Sequence, residues 1–376
     1  MNNVDLLFQK INEGREGKNI GLKTGLSKVD KYTGGIQKGI YTLISAPSGG
    51  GKTSYVIYSY IYRPLKDYPE KDLKYIYFSL ELSATVLLAK LLCLWVYEEY
   101  GVIIPYSIAM SWEKPISDDL YFYLEKGKNW LSSISSKLII YDKFLTAKKF
   151  YSTIMTNLEE WGHFNESSDG RRKIYVKNNP EQIVSVVCDH VSLVTPEGGN
   201  TKKQEIDTMS QYAVSLRERC EVSFYMLQQE NRNSVNMDRI KMDLTDTDAR
   251  DLKDTECTFN DSDRYIAIYY PLKFKLKTKA DYPVICEDQG DGFTGLRHIL
   301  RFIRIVKNRY GESEKSIAVG FWGNAGIFRE LPPANEIKDF SLYMHLDTVP
   351  STENEIQNEV EDNTSENDKK EIVYKF

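Results

Sequence analysis

Residues 46–53 of the chain, APSGGGKT, have the composition and spacing of a phosphate-binding loop. They follow an apolar, strand-like run at 41–46 and precede a helix-like run at 54–62. Successive glycines let backbone N–H groups converge on phosphate oxygens, and the start of a helix adds partial positive charge. Lys52 would neutralise the β- and γ-phosphates, and Thr53 would offer its hydroxyl to Mg²⁺. The predicted nucleotide-binding residues are Ala46, Pro47, Ser48, Gly49, Gly50, Gly51, Lys52, Thr53 and Ser54.

The first position of this loop departs from the strict pattern, because Ala46 stands where glycine is usual. That position requires a small side chain more than it requires conformational freedom. A glycine-rich turn that binds nothing is the alternative interpretation, but a Lys-Thr pair after three glycines has no evident folding role.

Two carboxylates lie where a Mg²⁺-nucleotide site would need them. Asp189 ends the apolar run IVSVVCD and is a candidate for holding metal-bound water. Glu81 follows the apolar run YIYFSL and is a candidate general base that polarises the attacking water. From position alone, Asp189 could equally be a turn or cap residue, and Glu81 a carboxylate at a helix N-terminus.

The elements that position these residues alternate between apolar strands and helices. Strands are predicted at 41–46, 75–80, 137–142, 183–189, 222–227, 264–270, 300–309 and 316–323. Helices are predicted between the early strands, so the expected class is α/β, a doubly wound and mostly parallel sheet with helices on both faces. Residues 162–182 and 273–297 are rich in charge, Gly and Asn and are predicted to be surface insertions.

The net charge and the cysteine content limit the classes of protein to which the chain can belong. The net charge is -5, and the last 26 residues, with eight acidic and three basic side chains, account for it. A basic channel elsewhere therefore remains compatible with the whole-chain charge. Five scattered cysteines, no apolar span and no signal peptide predict a cytoplasmic protein without a membrane partner.

Over roughly residues 15–331, the chain resembles the ATPase domain of DnaB-family replicative helicases, which has a RecA-like P-loop core. The segments that carry the resemblance are GLKTGLSKVDKYTGGIQKG before the loop, YIYFSLELSATVLLAKLL, VVCDHVSLV and LQQENR. The resemblance implies that Glu81 is the catalytic glutamate and that Asp189 is the Walker B carboxylate. It also implies that Gln229 senses the γ-phosphate.

A further block, DARDLKDTECTFNDSDRYIAIYYP (248–271), resembles the family's DNA-binding loop. The resemblance places Lys253, Asp254 and Glu256 against the DNA backbone. Lys253 replaces an arginine and Glu256 a glycine, so one phosphate contact loses its guanidinium fork and another gains an opposing charge. Lys202 and Lys203 follow the Walker B strand and are additional candidates for contact with single-stranded DNA.

The segment IVKNRYG (305–311) resembles the family's Lys-x-Arg element. By that resemblance Lys307 and Arg309 act on the γ-phosphate held by a neighbouring subunit. An arginine that arrives in trans can raise the rate of phosphoryl transfer by about three to five orders of magnitude. A solvated basic pair at a strand end is the simpler interpretation of an isolated K-x-R.

Family membership would imply a homohexameric ring that uses ATP and Mg²⁺ to move along single-stranded DNA in the 5′ to 3′ direction. Residues 1–20, with a helix at 4–17, would be the linker that docks on the next subunit. Residues 21–335 would be the ATPase domain and 336–376 an acidic disordered tail. We expect no counterpart of the family's N-terminal collar domain in this sequence, which favours a minimal, phage-encoded form. Whether the protein has a primase or loader partner is left open. A RecA- or RadA-like recombination or regulatory ATPase is the alternative function.

Overall fold

A nine-stranded sheet forms the centre of the computed structural model, which describes residues 3–166, 173–231, 246–290 and 292–349. Its strands are β1 (Tyr41–Ala46), β2 (Leu73–Ser79), β3 (Leu138–Tyr141), β6 (Ile183–Asp189), β7 (Ser223–Gln229), β8 (Arg264–Tyr269), β11 (Leu300–Asn308), β12 (Lys315–Trp322) and β13 (Ile327–Glu330). Two small hairpins pair β4 (Gly162–Glu166) with β5 (Lys173–Lys177), and β9 (Thr278–Lys279) with β10 (Tyr282–Pro283).

The strand order is β13-β12-β11-β8-β1-β7-β6-β2-β3. The six strands from β8 to β3 run parallel, whereas β11, β12 and β13 join antiparallel beside β8. The mostly parallel sheet expected from the apolar runs is therefore confirmed. Two of the strands, β1 and β6, have the predicted bounds.

Helices cover both faces of this sheet. They are α1 (Asn3–Arg15), α2 (Ser27–Thr33), α3 (Lys52–Val56), α4 (Arg63–Asp67), α5 (Ala84–Tyr100), α6 (Tyr106–Ala109), α7 (Asp118–Lys126), α8 (Lys128–Ile134), α9 (Ala147–Trp161), α10 (Lys202–Cys220) and α11 (Cys257–Asp261). A π-helical stretch, Ile57–Tyr62, joins α3 to α4. None of the helices in the described residues has the length and apolarity needed to cross a bilayer.

Side-chain alternation along β1 shows how the two faces are filled. Ile44 is buried in one core together with residues of α3 and α5. Leu43 points the other way, into a second core with residues of α9 and α10. Because successive strand residues face opposite sides, a strand buried on both faces is apolar throughout, as YTLISA largely is.

A third core corrects two expectations drawn from the sequence. Phe274, Tyr282 and Leu296, within the predicted surface insertion 273–297, are buried against Phe302 of β11. Tyr343, within the predicted disordered tail 336–376, is buried in the same cluster. These apolar residues are widely spaced and follow no helix or strand period, so only packing against the antiparallel strands reveals them. The tail prediction is thus wrong for residues 336–349, and residues 350–376 lie outside the described part of the chain.

The other predicted insertion, 162–182, contains the β4–β5 hairpin. Tyr175 of β5 is buried, and its hydroxyl donates a hydrogen bond to the Leu158 carbonyl of α9 at 3.0 Å. The hairpin is therefore attached to the sheet-covering helix, while residues 167–172 fall outside the described ranges.

Candidate functional site

The predicted nucleotide-site residues meet at one edge of the sheet. Ala46, at the end of β1, is in register with Gln229 at the end of β7. Ser79, two residues before Glu81, is in register with Asp189 at the end of β6. The strands β1, β7, β6 and β2 are parallel neighbours, so their carboxyl ends lie at the same edge of the sheet. The phosphate loop and the candidate residues Asp189, Glu81 and Gln229 therefore lie together at this edge.

The phosphate-loop backbone depends on its glycines. Gly49 and Gly51 have φ angles of 72° and 103°, values that favour glycine. A Cβ on Gly50 would lie 2.8 Å from the Ala46 Cβ, and Gly50 N–H donates to Pro47 O at 2.8 Å. Gly51 is the N-cap of α3, and within the described residues no side chain caps this helix with a hydrogen bond.

Lys52 and Glu81 contact each other across the site. The Lys52 Nζ lies 3.5 Å from Glu81 Oε2, and His190 Nε2 lies 3.9 Å from the same oxygen. Burial lowers the pKa of His190 to about 4, and the nearby Lys52 charge acts in the same direction. His190 is therefore a neutral imidazole at neutral pH, and the half-exposed Glu81 carboxylate is held between it and a lysine.

Within the described ranges, one carboxylate oxygen of Asp189 has no hydrogen-bond partner. The side chain is 1% exposed; Tyr77 Oη donates to Oδ2 at 3.0 Å, while Oδ1 is buried and unpaired among the described residues. Burial raises the pKa of Asp189, and the Lys52 charge and the Thr53 and Tyr77 hydroxyls oppose that shift. A buried, unpaired carboxylate oxygen beside a threonine hydroxyl fits the oxygen-ligand preference of Mg²⁺.

The predicted DNA-loop block is hydrogen-bonded to the end of β7. Lys253 N–H donates to the Gln229 carbonyl at 3.0 Å. The neighbouring Gln228 was not among the predicted site residues, and it is fully buried. Its amide nitrogen donates to the carbonyls of Lys253 and Thr255. Its Oε1 accepts a hydrogen bond from Thr258 Oγ1 at 2.6 Å. Gln228 directly follows the apolar run 224–227 of β7, and an amide at the end of a buried run is the signal that could have identified it.

The candidate DNA-contacting side chains are exposed and share one region. Lys253, Asp254 and Glu256 are all solvent-exposed, and so are Lys202 and Lys203 in the first turn of α10. Thr255 Oγ1 donates to Asp207 Oδ1 at 2.6 Å, which ties the block to α10. Because Asp207 lies one helical turn after Lys203, the two groups of DNA-contact candidates are on neighbouring surfaces.

Lys307 and Arg309 lie at the opposite edge of the sheet. Since β11 is antiparallel to β8, its end pairs with the start of β8, where Asn308 is in register with Arg264. Arg264 is in turn in register with Thr42, near the amino end of β1. With about 3.3 Å per strand residue, β1 separates this point from the phosphate loop by roughly 13 Å. Lys307 and Arg309 therefore lie at the end of the sheet opposite to the phosphate loop of the same chain.

A buried carboxylate orients Arg309. Asp263 is 0% exposed and lies 3.3 Å from Arg309 Nη1 and 2.7 Å from Arg217 Nη1 of α10. Arg309 Nη2 also donates to the Asn260 carbonyl at 3.0 Å, and Lys307 Nζ donates to the same carbonyl at 3.1 Å. Both basic side chains therefore bind α11, a short helix within the DNA-loop block (248–271).

A cavity of about 180 Å³ lies beside Ser54. Its wall includes Lys90 of α5, Tyr106 of α6 and Asn324 in the β12–β13 turn. Ser54 follows Thr53 at the start of α3, so this cavity lies next to the phosphate loop.

Comparison with known proteins identifies the segment around the phosphate loop. Residues 21–99 match the family model of the DnaB-like helicase C terminal domain. Over residues 21–99 the resemblance to the DnaB family is confirmed. This DnaB-like segment (residues 21–99) contains the phosphate loop and Glu81, whereas Asp189, Gln229 and the K-x-R element lie outside it. No curated protein matches the chain in sequence.

Two solved structures share the fold. One, described as an ATPase domain, is similar with a TM-score of 0.65 and 17% identity, covering 88% of this chain and 100% of that chain. A DnaB-like replicative helicase, in a structure that concerns its interactions with primase, is similar with a TM-score of 0.63 and 17% identity, covering 88% of this chain and 67% of that chain. The RecA-like α/β fold expected for a DnaB-like protein is thereby confirmed.

The two adjacent glutamines should respond differently to substitution. Gln228→Met removes an amide that satisfies two carbonyls and one hydroxyl, so we expect the free energy of unfolding to fall by roughly 2–4 kcal/mol. Gln229→Met is the matched control, because its side chain is only partly buried and the change should stay within about 0.5 kcal/mol. Urea denaturation followed by circular dichroism measures both, and equal losses would contradict the structural role of Gln228.

Proposed function

We propose that the chain is an ATP-dependent replicative DNA helicase motor that moves along single-stranded DNA as a ring. The observation that carries this proposal is the separation of two sets of residues: the phosphate loop and its carboxylates lie at one sheet edge, and the K-x-R element lies at the other. An active site that needs both sets can be completed only between two copies of the chain. The family match of residues 21–99 supports the same function.

The chemistry proposed at the carboxyl edge follows from the side chains present. The loop 46–54 would cradle ATP phosphates, and Lys52 would exchange its contact with Glu81 for the β- and γ-phosphates. Glu81, once released, would orient and polarise the attacking water. Thr53 and Asp189 would hold Mg²⁺, which supplies charge neutralisation for the transferred phosphoryl group. Gln229 would sense the γ-phosphate.

The ring would form by head-to-tail contacts, in which Lys307 and Arg309 of one copy reach the nucleotide of the next. Helix α1, within the proposed linker 1–20, presents an apolar face that the described part of the chain leaves uncovered: Val4, Leu7, Phe8 and Ile11 are 60%, 55%, 58% and 45% exposed. An exposed apolar stripe of this kind favours a protein partner, and we propose a neighbouring subunit in a hexamer.

The proposed DNA contacts are Lys253, Asp254, Glu256, Lys202 and Lys203. Their link to the nucleotide site is short, because the Lys253 amide is bonded to the Gln229 carbonyl. Exposed lysines on such loops would track the phosphate backbone, and binding should weaken with salt. The 5′ to 3′ direction and a primase or loader partner are proposed by resemblance to the DnaB family.

Strand displacement tests the function. On a forked DNA with a 5′ single-stranded arm, the wild-type protein with ATP and Mg²⁺ should release the labelled strand, whereas a fork with only a 3′ arm should remain intact. Lys52→Ala is the control that should abolish release. ATP hydrolysis stimulated by DNA without release of either strand would support a RecA- or RadA-like ATPase instead.

Mixed oligomers test the placement of Arg309 in trans. Arg309→Ala should keep its affinity for ATP but lose hydrolysis by about three orders of magnitude or more. Glu81→Gln should also bind ATP without turnover. When the two variants are mixed, some interfaces pair an intact Glu81 with an intact Arg309, so hydrolysis should exceed the sum of the separate activities. Wild-type turnover by Arg309→Ala would exclude this assignment.

A negative charge placed on α1 tests the proposed linker. Phe8→Asp should prevent ring assembly, because it places a carboxylate in the apolar face, and hydrolysis should fall while nucleotide binding persists. Asn12→Asp, which adds the same charge at an exposed polar position of α1, is the matched control. Light scattering after size-exclusion chromatography measures the mass, and an assembled Phe8→Asp protein would contradict the linker proposal.

A further inference from the structure

Arg301, near the start of β11, is a buried cation next to the phosphate loop. It is 2% exposed, and its Nε donates to the Gly50 carbonyl at 3.0 Å. Its Nη1 donates to the carbonyls of His298 and Leu300 at 2.8 and 2.9 Å. The guanidinium carbon lies 3.3 Å from the centre of the Tyr270 ring. A side chain of another element is thus clamped onto the backbone of the loop.

The charge of Arg301 has no carboxylate partner within the described part of the chain. Its hydrogen bonds go to backbone carbonyls, and its nearest aromatic contact is Tyr270. Burial lowers the pKa of Arg301 to about 10, which still leaves the side chain charged at neutral pH. A buried, unpaired cation is costly in an isolated fold and becomes less so when an anion binds nearby.

The bond to Gly50 also determines where an adjacent N–H points. The Gly50–Gly51 peptide is trans, and in a trans peptide the C=O and N–H groups point in opposite directions. Holding Gly50 O against Arg301 therefore directs Gly51 N–H away from Arg301. Gly49, Gly50 and Gly51 have no Cβ, so this stretch of backbone can adopt many conformations, and an external contact restricts them.

We propose that Arg301 is a positioning residue for the phosphate loop, holding Gly50 O so that Gly51 N–H is aimed at the polyphosphate of the bound nucleotide. This inference rests on the proposed nucleotide-binding function and extends it to a residue on a different strand. The charge of Arg301 and the charge of the polyphosphate would then offset each other across one peptide group.

The same strand provides a matched control. Arg304 is 9% exposed and lies three positions later, so its side chain leaves the opposite face of β11. It donates to the Thr247 carbonyl at 2.9 Å and pairs with Asp246 and Glu314 at 3.5 and 3.4 Å. Replacing Arg304 removes a buried guanidinium from β11 without altering a contact to the phosphate loop.

The experiment compares AMP and ADP binding to the wild-type protein, Arg301→Met, Arg301→Lys and Arg304→Met, by calorimetry or competition with a fluorescent nucleotide. Arg301→Met should bind ADP roughly tenfold more weakly or worse, and AMP within about twofold of wild type. Arg301→Lys keeps the charge but loses the planar fork, so its ADP affinity should be intermediate. Arg304→Met should bind both nucleotides like the wild type, even if its melting temperature falls.

The outcomes separate this inference from the proposed function. A wild-type protein that does not bind ADP would contradict the proposed function. Wild-type ADP affinity in Arg301→Met, or an equal loss for AMP and ADP, would overturn the positioning role while leaving the proposed function intact. If Arg301→Met does not fold, Arg301→Lys decides by the same comparison: a loss of affinity confined to ADP supports the role, and wild-type ADP affinity overturns it.

Discussion

The polarity of the strands on either side of β1 is the constraint on which the rest of the structure depends. On one side, β7, β6 and β2 run parallel to β1, so their carboxyl ends gather at one edge. On the other side, β11 runs antiparallel beyond β8, so its last residues lie at the opposite edge. The first arrangement concentrates nucleotide-binding side chains, and the second keeps Lys307 and Arg309 away from them. The proposal that the site is completed between two copies of the chain rests on this strand order.

Short contacts connect the sheet edge that carries the phosphate loop to the proposed DNA surface. The Glu230 amide donates to the Ala46 carbonyl, and Ser45 Oγ donates to the buried Glu230 carboxylate at 2.8 Å. One residue earlier, the Gln229 carbonyl accepts a hydrogen bond from the Lys253 amide of the DNA-loop block. The Gln228 side-chain amide donates to the Thr255 carbonyl of the same block. The start of the phosphate loop and the DNA-loop block thus share the end of β7. A displacement of the phosphate loop would therefore shift the DNA-loop block, and the reverse, because closely packed interiors transmit displacement.

The second connection runs from the DNA-loop block to the K-x-R element. Helix α11 lies within that block, and its carbonyls accept hydrogen bonds from both Lys307 and Arg309. Asp263 adds a buried carboxylate between Arg309 and Arg217. Asp263 is fully buried whereas Arg309 is 44% exposed, so the carboxylate orients one side of a guanidinium that remains accessible to a ligand. The proposed DNA surface therefore contacts both halves of the proposed interfacial site.

The sequence by itself determined the local features: the apolar runs of β1 and β6, the glycines of the phosphate loop, and the carboxylates at strand ends. These could be predicted because strand burial, loop conformation and ligand chemistry each depend on a few consecutive residues. Only the tertiary structure decided which edge each strand end occupies, that Arg301 clamps Gly50, and that Gln228 holds the DNA-loop block. It also decided that Tyr343 belongs to a core rather than to a tail. Those contacts join residues far apart in the chain, and the physical reason is that strand pairing and burial, rather than local composition, bring them together.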